Sequence, residues 1–176
     1  VAHELARGLN PSRAKSGRGS ANLLSNADFA AVPILAPFDW QLSKSGNLGA
    51  SIDGRGRMLV SAIGGARGAA ARQLLRLAPG EYSLAWKSSA SGEIDPNALT
   101  AWLECAERGG GSAADTPQIS LSLPASQARM RVPEGTCRWY WFSIVVAIPD
   151  DSSGMDFKLR SVSLTRSLSG KFEGDT

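Results

Sequence analysis

Apolar and polar residues alternate in short runs along most of the chain, from about residue 22 to residue 166. Alternation with a period of two is typical of strands that bury one face, and clusters of Gly, Pro, Ser and Asp between the runs are typical of turns. No segment shows a convincing amphipathic helix of three turns. The pattern predicts roughly eight to ten strands, with the clearest runs in GRMLVSAI, ARQLLRLAPGEYSLAWKSSA, ALTAWLECAE, QISLSLPA, CRWYWFSIVVAIP and MDFKLRSVSLTR.

Strands at this spacing predict an all-β fold, a single antiparallel β-sandwich or jelly roll that closes one core between two sheets. The 176 residues, 43% of them hydrophobic, suffice for one core and are few for two. We expect the sandwich to occupy residues 21–166. Residues 1–20 are interpreted as a basic linker or the end of a preceding helical region, with a disordered end as the alternative, and residues 167–176 as a C-terminal tail.

The segment GARGAAARQLLRLA also has helical propensity, because Ala and Leu favour helices. A turn at residues 78–80 follows it at once, so we expect its second half to be a strand. With the preceding LVSAI it looks like a dinucleotide-binding turn, but Gly64, Gly65 and Gly68 lack the required spacing and the next strand ends without an acid. Glycines in a loop between strands explain the stretch better.

The formal net charge of +3 is modest, and much of it comes from residues 1–20, where four basic residues face one acid, Glu4. A nucleic-acid binder usually carries a basic stripe on its folded part. The rest of this chain is nearly neutral, so we expect no nucleic-acid partner. No apolar run reaches the ~18 residues that span a bilayer, so no membrane insertion is expected.

The inventory of catalytic residues is small. His3 is the single histidine and lies in the predicted N-terminal segment, so neither a Ser-His-Asp nor a Cys-His arrangement can form in the domain. A tetrahedral zinc site of His and Cys fails for the same reason. A carboxylate pair for glycoside hydrolysis remains conceivable, but most acids lie in turn contexts such as SGEIDPN and PDDSSG. We therefore expect no enzyme and no cofactor.

Cys105 and Cys137 lie at the end of one predicted strand and at the start of another. Neighbouring antiparallel strands bring such positions together, and the pair is interpreted as one disulfide, with two buried free thiols as the alternative. A disulfide indicates an oxidising compartment, and we expect a periplasmic or extracellular location.

Four short motifs carry a family resemblance: NLLSNADF at residues 22–29, FDW at 38–40, LAPGEYSL at 77–84 and DFKLRSVSL at 156–164. As a set they resemble carbohydrate-binding modules with the galactose-binding-like jelly roll, over about residues 22–166. The resemblance implies a non-catalytic accessory module that binds a polysaccharide or glycan. These motifs are signatures of a fold, and the same fold supports many functions.

Two departures from that family concern a structural calcium ion. The family often has Phe-Glu where this chain has Phe29-Ala30, and often an Asp before Val where it has Arg160-Ser161. Calcium needs several oxygen ligands, usually including carboxylates, so we expect no metal.

A more specific resemblance is to domains attached to helical-repeat proteins of bacterial envelopes. Those domains carry a Trp-x-x-Cys strand and a second Cys before a long strand, as in residues 102–105 and 137–141 here. The alternative function is therefore a structural or protein-interaction domain of a bacterial envelope or polysaccharide-handling assembly.

Aromatic residues on an exposed sheet face are the expected glycan platform, because sugar rings stack on aromatic rings. In CRWYWFSIVV, Trp139 and Trp141 alternate with an apolar set, and in ALTAWLECAE the same holds for Trp102 and Glu104. We predict that these four residues share one outer face and bind the glycan. The alternative is that a loop or the N-terminal segment covers them, making a second small core; Trp86 is expected in the main core.

Overall fold

The computed structural model describes residues 21–91, 95, 97–107, 118–120, 125–135 and 137–167. The predicted linker over residues 1–20, with His3, and nearly all of the predicted tail lie outside the described residues, so the domain boundaries stay predictions. Within the described residues the chain forms ten strands: β1 (Gln41–Leu42), β2 (Leu48–Ile52), β3 (Met58–Ala62), β4 (Arg67–Arg76), β5 (Gly80–Ser91), β6 (Leu99–Cys105), β7 (Gln118–Ser120), β8 (Ala125–Val132), β9 (Trp139–Ala147) and β10 (Met155–Arg166).

The strands form two five-stranded antiparallel sheets. The front sheet has the order β1-β4-β9-β6-β7 and the back sheet the order β2-β3-β10-β5-β8. Neighbouring strands are mostly distant in sequence, as in a jelly roll, and the two sheets close one core between them. The predicted all-β sandwich is confirmed. In the described part of the chain no helix is long and apolar enough to cross a membrane.

Most of the segment with helical propensity is a strand, since β4 runs from Arg67 to Arg76 and pairs with β9. Pairing between strands therefore overrides the intrinsic preference of its alanines for helix. Gly64 and Gly65 form the turn between β3 and β4, as predicted. Gly68, predicted in the loop between strands, lies instead within β4. A side chain at Gly64 would collide with the carbonyl oxygen of Ser152, which explains why the smallest residue stands there.

Alternate residues of each strand fill the core. In β9, Tyr140, Phe142, Ile144 and Val146 are buried as predicted, and Trp86 of β5 is 3% exposed. Burial of large apolar side chains is the dominant stabilising contribution in such a sandwich. The opposite set of β9 residues faces outward on the front sheet.

The opening segment, residues 22–29, bridges the two sheets at one margin. The Leu23 amide donates to the Leu164 carbonyl of β10 in the back sheet, and the Val162 amide of β10 donates to the Ala27 carbonyl. On the front side, the buried side chain of Gln73 accepts from the Ser25 amide at 2.8 Å and donates to the Ser25 carbonyl at 3.0 Å. The segment thereby closes the core at this margin. Its own Phe29 and the neighbouring Trp40 are 0% and 1% exposed.

Candidate functional site

Three of the five tryptophans lie on the outer face of the front sheet. Trp139 and Trp141 project outward from β9, and Trp102 projects from the neighbouring strand β6; all three are half-buried. Trp40 and Trp86 belong to the core. The tryptophans therefore fall into two sets, one on the outer face of the front sheet and one in the core, as predicted. We call the outward surface of residues 72, 74, 76, 100, 102, 104, 139, 141 and 143 the tryptophan face.

The register of the strands positions the four predicted site residues relative to one another. Trp141 lies opposite Glu104 of β6, and Trp102 lies opposite Ser143 of β9. Trp102 and Trp141 are thus diagonal neighbours, a relation that places Cβ atoms about 7–8 Å apart. Trp102 lies at the level of Ser143, four residues along β9 from Trp139, which corresponds to about 14 Å. The three indoles form an oblique row across β9 and β6, with Glu104 beside it.

Each indole has a protein contact that orients it. The guanidinium carbon of Arg72 lies 4.3 Å from the centre of the Trp141 ring. The Trp139 ring packs at a tilt against Phe38, with 6.1 Å between centroids. The indole nitrogen of Trp102 donates to the Thr100 hydroxyl at 2.9 Å. These contacts reduce the rotamer freedom of the three side chains before any ligand arrives.

Strand β4 adds residues that the sequence reasoning missed. These residues lie along the row of indoles, on the side opposite to Glu104. They pair with β9 as follows: Arg72 with Ser143, Leu74 with Trp141 and Arg76 with Trp139. Alternation in ARQLLR would have identified all three, because Ala71, Gln73 and Leu75 are buried between them.

Phe38 was also missed as a site residue. Its segment runs along the edge of β4, where the Leu74 amide donates to the Pro37 carbonyl at 2.8 Å. No local pattern indicates that contact, because it depends on the long path from the opening segment to β1.

The outer face of the back sheet has a different chemistry. Its described outward positions carry small, polar or charged side chains and the aliphatic Leu59, with no aromatic residue among them. An open groove of about 550 Å³ near the ends of β2, β3 and β10 is likewise lined without aromatics. Stacking surfaces for a sugar ring are therefore concentrated on the front sheet of the described structure. The outward residues of the back sheet include Ser51, Leu59, Ser61, Lys87, Ser89, Asp156, Lys158, Ser163 and Thr165.

Cys105 and Cys137 form the predicted disulfide, with Cα atoms 6.1 Å apart. It joins the end of β6 to the segment that leads into Trp139. Cys105, Glu107 and Cys137 also make the one cluster of three possible metal donors in the described part of the chain. Because a metal binds thiolates and both sulfurs are in the disulfide, this cluster is not a metal site.

The electrostatics of the face come from a few groups. Along the strands of the front sheet Glu104 is the single carboxylate. Beneath the face, burial and then the charge of Glu107 raise the pKa of Tyr140 above its ordinary value.

Comparison with known proteins gives a likeness in fold. No protein-family model matches the chain, and no curated protein matches it. A solved CBM4 carbohydrate-binding module is similar with a TM-score of 0.56 and 13% identity, over 82% of this chain and 99% of that one. The CBM22-1 xylan-binding domain of Paenibacillus barcinonensis Xyn10C has a TM-score of 0.52 and 8% identity, over 86% and 97%. TmCBM61 in complex with β-1,4-galactotriose has a TM-score of 0.50 and 14% identity, over 84% and 100%.

At these identities the likeness shows the fold. The domain has the β-sandwich jelly-roll fold of carbohydrate-binding modules, as the sequence resemblance implied. Attachment to helical-repeat proteins of bacterial envelopes stays a prediction, and so do the roles of Trp102, Glu104, Trp139 and Trp141 in binding.

Proposed function

We propose that the domain is a non-catalytic accessory module that binds a polysaccharide or glycan on the tryptophan face. The observation that carries the proposal is the oblique row of three half-buried indoles on the front sheet, opposite a back sheet whose described outward positions carry no aromatic residue. Similar folds include a xylan-binding domain and a module bound to β-1,4-galactotriose, which supports a sugar polymer as the ligand class.

The proposed binding uses two kinds of contact. The apolar C–H face of a sugar ring stacks on an indole, and Trp139, Trp141 and Trp102 offer successive stacking positions over about 14 Å. Hydroxyl groups then donate to the Glu104 carboxylate or accept from Arg72. A row of this length suits an oligosaccharide segment rather than a single sugar. Because the indoles are already oriented by their neighbours, binding costs less side-chain entropy.

The proposed module holds its ligand without cleaving it, since hydrolysis of a glycosidic bond ordinarily needs two carboxyl groups flanking that bond. We also propose a periplasmic or extracellular location. Disulfides persist in oxidising compartments, where polysaccharides are also encountered, and the Cys105–Cys137 bond supports that location.

Affinity electrophoresis against a panel of soluble bacterial and plant polysaccharides tests the proposal. We expect one polymer class to retard the wild-type protein and to lose its effect on Trp141→Ala and Trp139→Ala. Leu59→Ala is the matched control, because Leu59 is a half-buried apolar residue on the outer face of the back sheet. Retardation that persists in both tryptophan variants, or its absence with every polymer, would overturn the proposal.

A second candidate, a protein-interaction domain, is favoured by the loop at residues 31–37. Val32, Ile34 and Leu35 are 62%, 85% and 36% exposed there, and adjacent exposed apolar residues often mark a protein contact. Sedimentation of the wild type and of a Val32→Ser, Ile34→Ser double variant over a concentration series tests self-contact through this loop. Concentration-dependent association that the double variant abolishes would support this candidate, whereas two identical monomers would count against it.

A further inference from the structure

The tryptophan face carries an excess of positive charge along one side. Arg72 and Arg76 point outward from β4 within this face, and Glu104 is the one carboxylate on the strands of the front sheet. Two guanidinium groups against one carboxylate leave one positive charge. The two signs are also separated, because β4 and β6 lie on opposite sides of β9. A chain lying along β9 would therefore meet a cationic side at β4 and an acidic side at β6.

We infer that the glycan bound by this face is an anionic polysaccharide that bears carboxylate groups, a polyuronate, rather than a neutral polymer; this inference rests on the proposed function. Uronate rings keep an apolar face for stacking and add a carboxylate at the ring margin. The indoles of β9 would take the rings, and the β4 arginines would take the carboxylates.

Arg72 is the best-placed partner for a carboxylate. Its Nε–H donates to the Gln41 side chain at 2.9 Å, and its plane lies over Trp141. The guanidinium is thus held from two directions, while its two terminal nitrogens form no hydrogen bond with a described residue. A planar guanidinium with free terminal nitrogens matches the two oxygens of a carboxylate and forms a charge-assisted pair.

Arg76 supplies a second cation at the other end of the row. It is exposed, lies opposite Trp139 and has no ion-pair partner among the described residues. Arg72 and Arg76 are four residues apart along β4, about 14 Å. That spacing follows the row of indoles, so more than one carboxylate of a polymer can be engaged. Such contacts weaken as salt rises, because exposed charges are screened.

The test compares each acidic polymer with its own neutral form. Polygalacturonate, alginate and a glucuronan are titrated calorimetrically into the wild-type domain, beside the same polymers after chemical reduction of their carboxyl groups. We expect at least one polyuronate to bind about tenfold or more tightly than its reduced form, the ratio expected of a charge-assisted hydrogen bond. Arg72→Gln and Arg76→Gln should each lower this ratio of affinities for the acidic and the reduced polymer substantially. Arg129→Gln, which deletes an exposed cation from the back sheet, should leave it unchanged.

The outcomes separate the inference from the function on which it rests. Equal binding of acidic and reduced polymers, or retention of neutral polysaccharides alone, would overturn the inference and leave the glycan-binding function standing. Equal losses in Arg129→Gln and Arg72→Gln would also overturn it, because attraction would then reflect net charge. Binding to no polymer of either kind would overturn both.

Discussion

The guanidinium of Arg72 lies over the indole of Trp141, 4.3 Å from the ring centre, although the two residues belong to different strands. Arg72 pairs in register with Ser143, so it reaches Trp141 along the diagonal between β4 and β9. A cation–π contact at a partly exposed site contributes about 0.5–1 kcal/mol. Its larger consequence is orientation: Arg72 covers one face of the ring and fixes it, so the sugar that we propose would stack on the opposite face, next to a charged group.

The tryptophan face and the core should respond differently to truncation. Trp141→Ala should abolish glycan retention and lower the free energy of unfolding by about 1 kcal/mol, because the ring is half-buried and loses the Arg72 contact. Trp86→Ala should cost about 3–5 kcal/mol, as expected for a buried aromatic ring. Urea denaturation of both variants measures the difference. A loss in Trp141→Ala as large as that in Trp86→Ala would place Trp141 in a second small core.

Gln73 should be required for closing the sandwich over the opening segment. Its buried amide satisfies both backbone groups of Ser25, and Gln73→Leu leaves a buried donor and a buried acceptor unpaired. We expect a loss of about 2–6 kcal/mol, at about 1–3 kcal/mol for each of the two unsatisfied groups. Gln127→Leu, at an exposed position on β8 of the back sheet, is the control and should be nearly neutral in thermal unfolding. Equal melting temperatures for Gln73→Leu and the wild type would refute the role of Gln73.

The buried hydroxyl of Ser88 is expected to lower the free energy of unfolding of the wild-type protein. Its hydroxyl oxygen is buried, and no described residue forms a hydrogen bond with it. Ser88→Ala should therefore raise the free energy of unfolding by about 1 kcal/mol, because an unpaired buried polar group is removed. The neighbouring exposed Ser89→Ala serves as the comparison in differential scanning calorimetry. A lower melting temperature for Ser88→Ala would mean that the hydroxyl has a partner in the folded protein.

The disulfide should contribute to stability through the unfolded chain. Cys105 and Cys137 are 32 residues apart, and closing a loop of that size is worth about 3–4 kcal/mol in the loop-entropy account. Replacing both cysteines with alanine should lower the urea midpoint accordingly, with reduced wild type behaving in the same way. Mass spectrometry of the alkylated, non-reduced protein provides the check. Two alkylated thiols in protein from an oxidising compartment would restore the free-thiol interpretation.

Asp53 makes one part of the stability dependent on pH. The amide of Arg55 donates to Asp53 at 2.8 Å, and this bond, aided by the Arg57 guanidinium, lowers the pKa of Asp53 below its ordinary 3.8 against a smaller opposing effect of desolvation. A lowered pKa means that the stabilisation is present above the ordinary value and is lost as pH falls through the folded-state pKa. Asp53→Asn should thus have a lower free energy of unfolding than the wild type at pH 7. The difference between the two proteins should decrease as the pH falls below 3.8. A gap independent of pH would contradict this account.

The sequence pattern anticipated those features of the site that depend on one strand at a time. Alternation in β9 and β6 separated Trp139, Trp141 and Trp102 from the core residues, because period two is set by strand geometry alone. The partners across strands could not be predicted in the same way. Phe38 reaches Trp139, and Arg72 reaches Trp141, through a register between strands that are far apart in sequence. In β4 the helical propensity of the alanines also obscured the alternation of its outward residues.

Acrylamide quenching of tryptophan fluorescence, measured with and without a retained polysaccharide, shows whether the polymer lies on the tryptophan face. Trp40 and Trp86 are buried in the core, so the quenchable emission should come from Trp102, Trp139 and Trp141. We expect a bound polymer to lower the quenching constant. In the Trp139→Phe, Trp141→Phe double variant the polymer should cause much less of this decrease. A polymer that binds while leaving the quenching constant unchanged would place its site elsewhere, for example in the groove beside β2, β3 and β10, and would contradict the account.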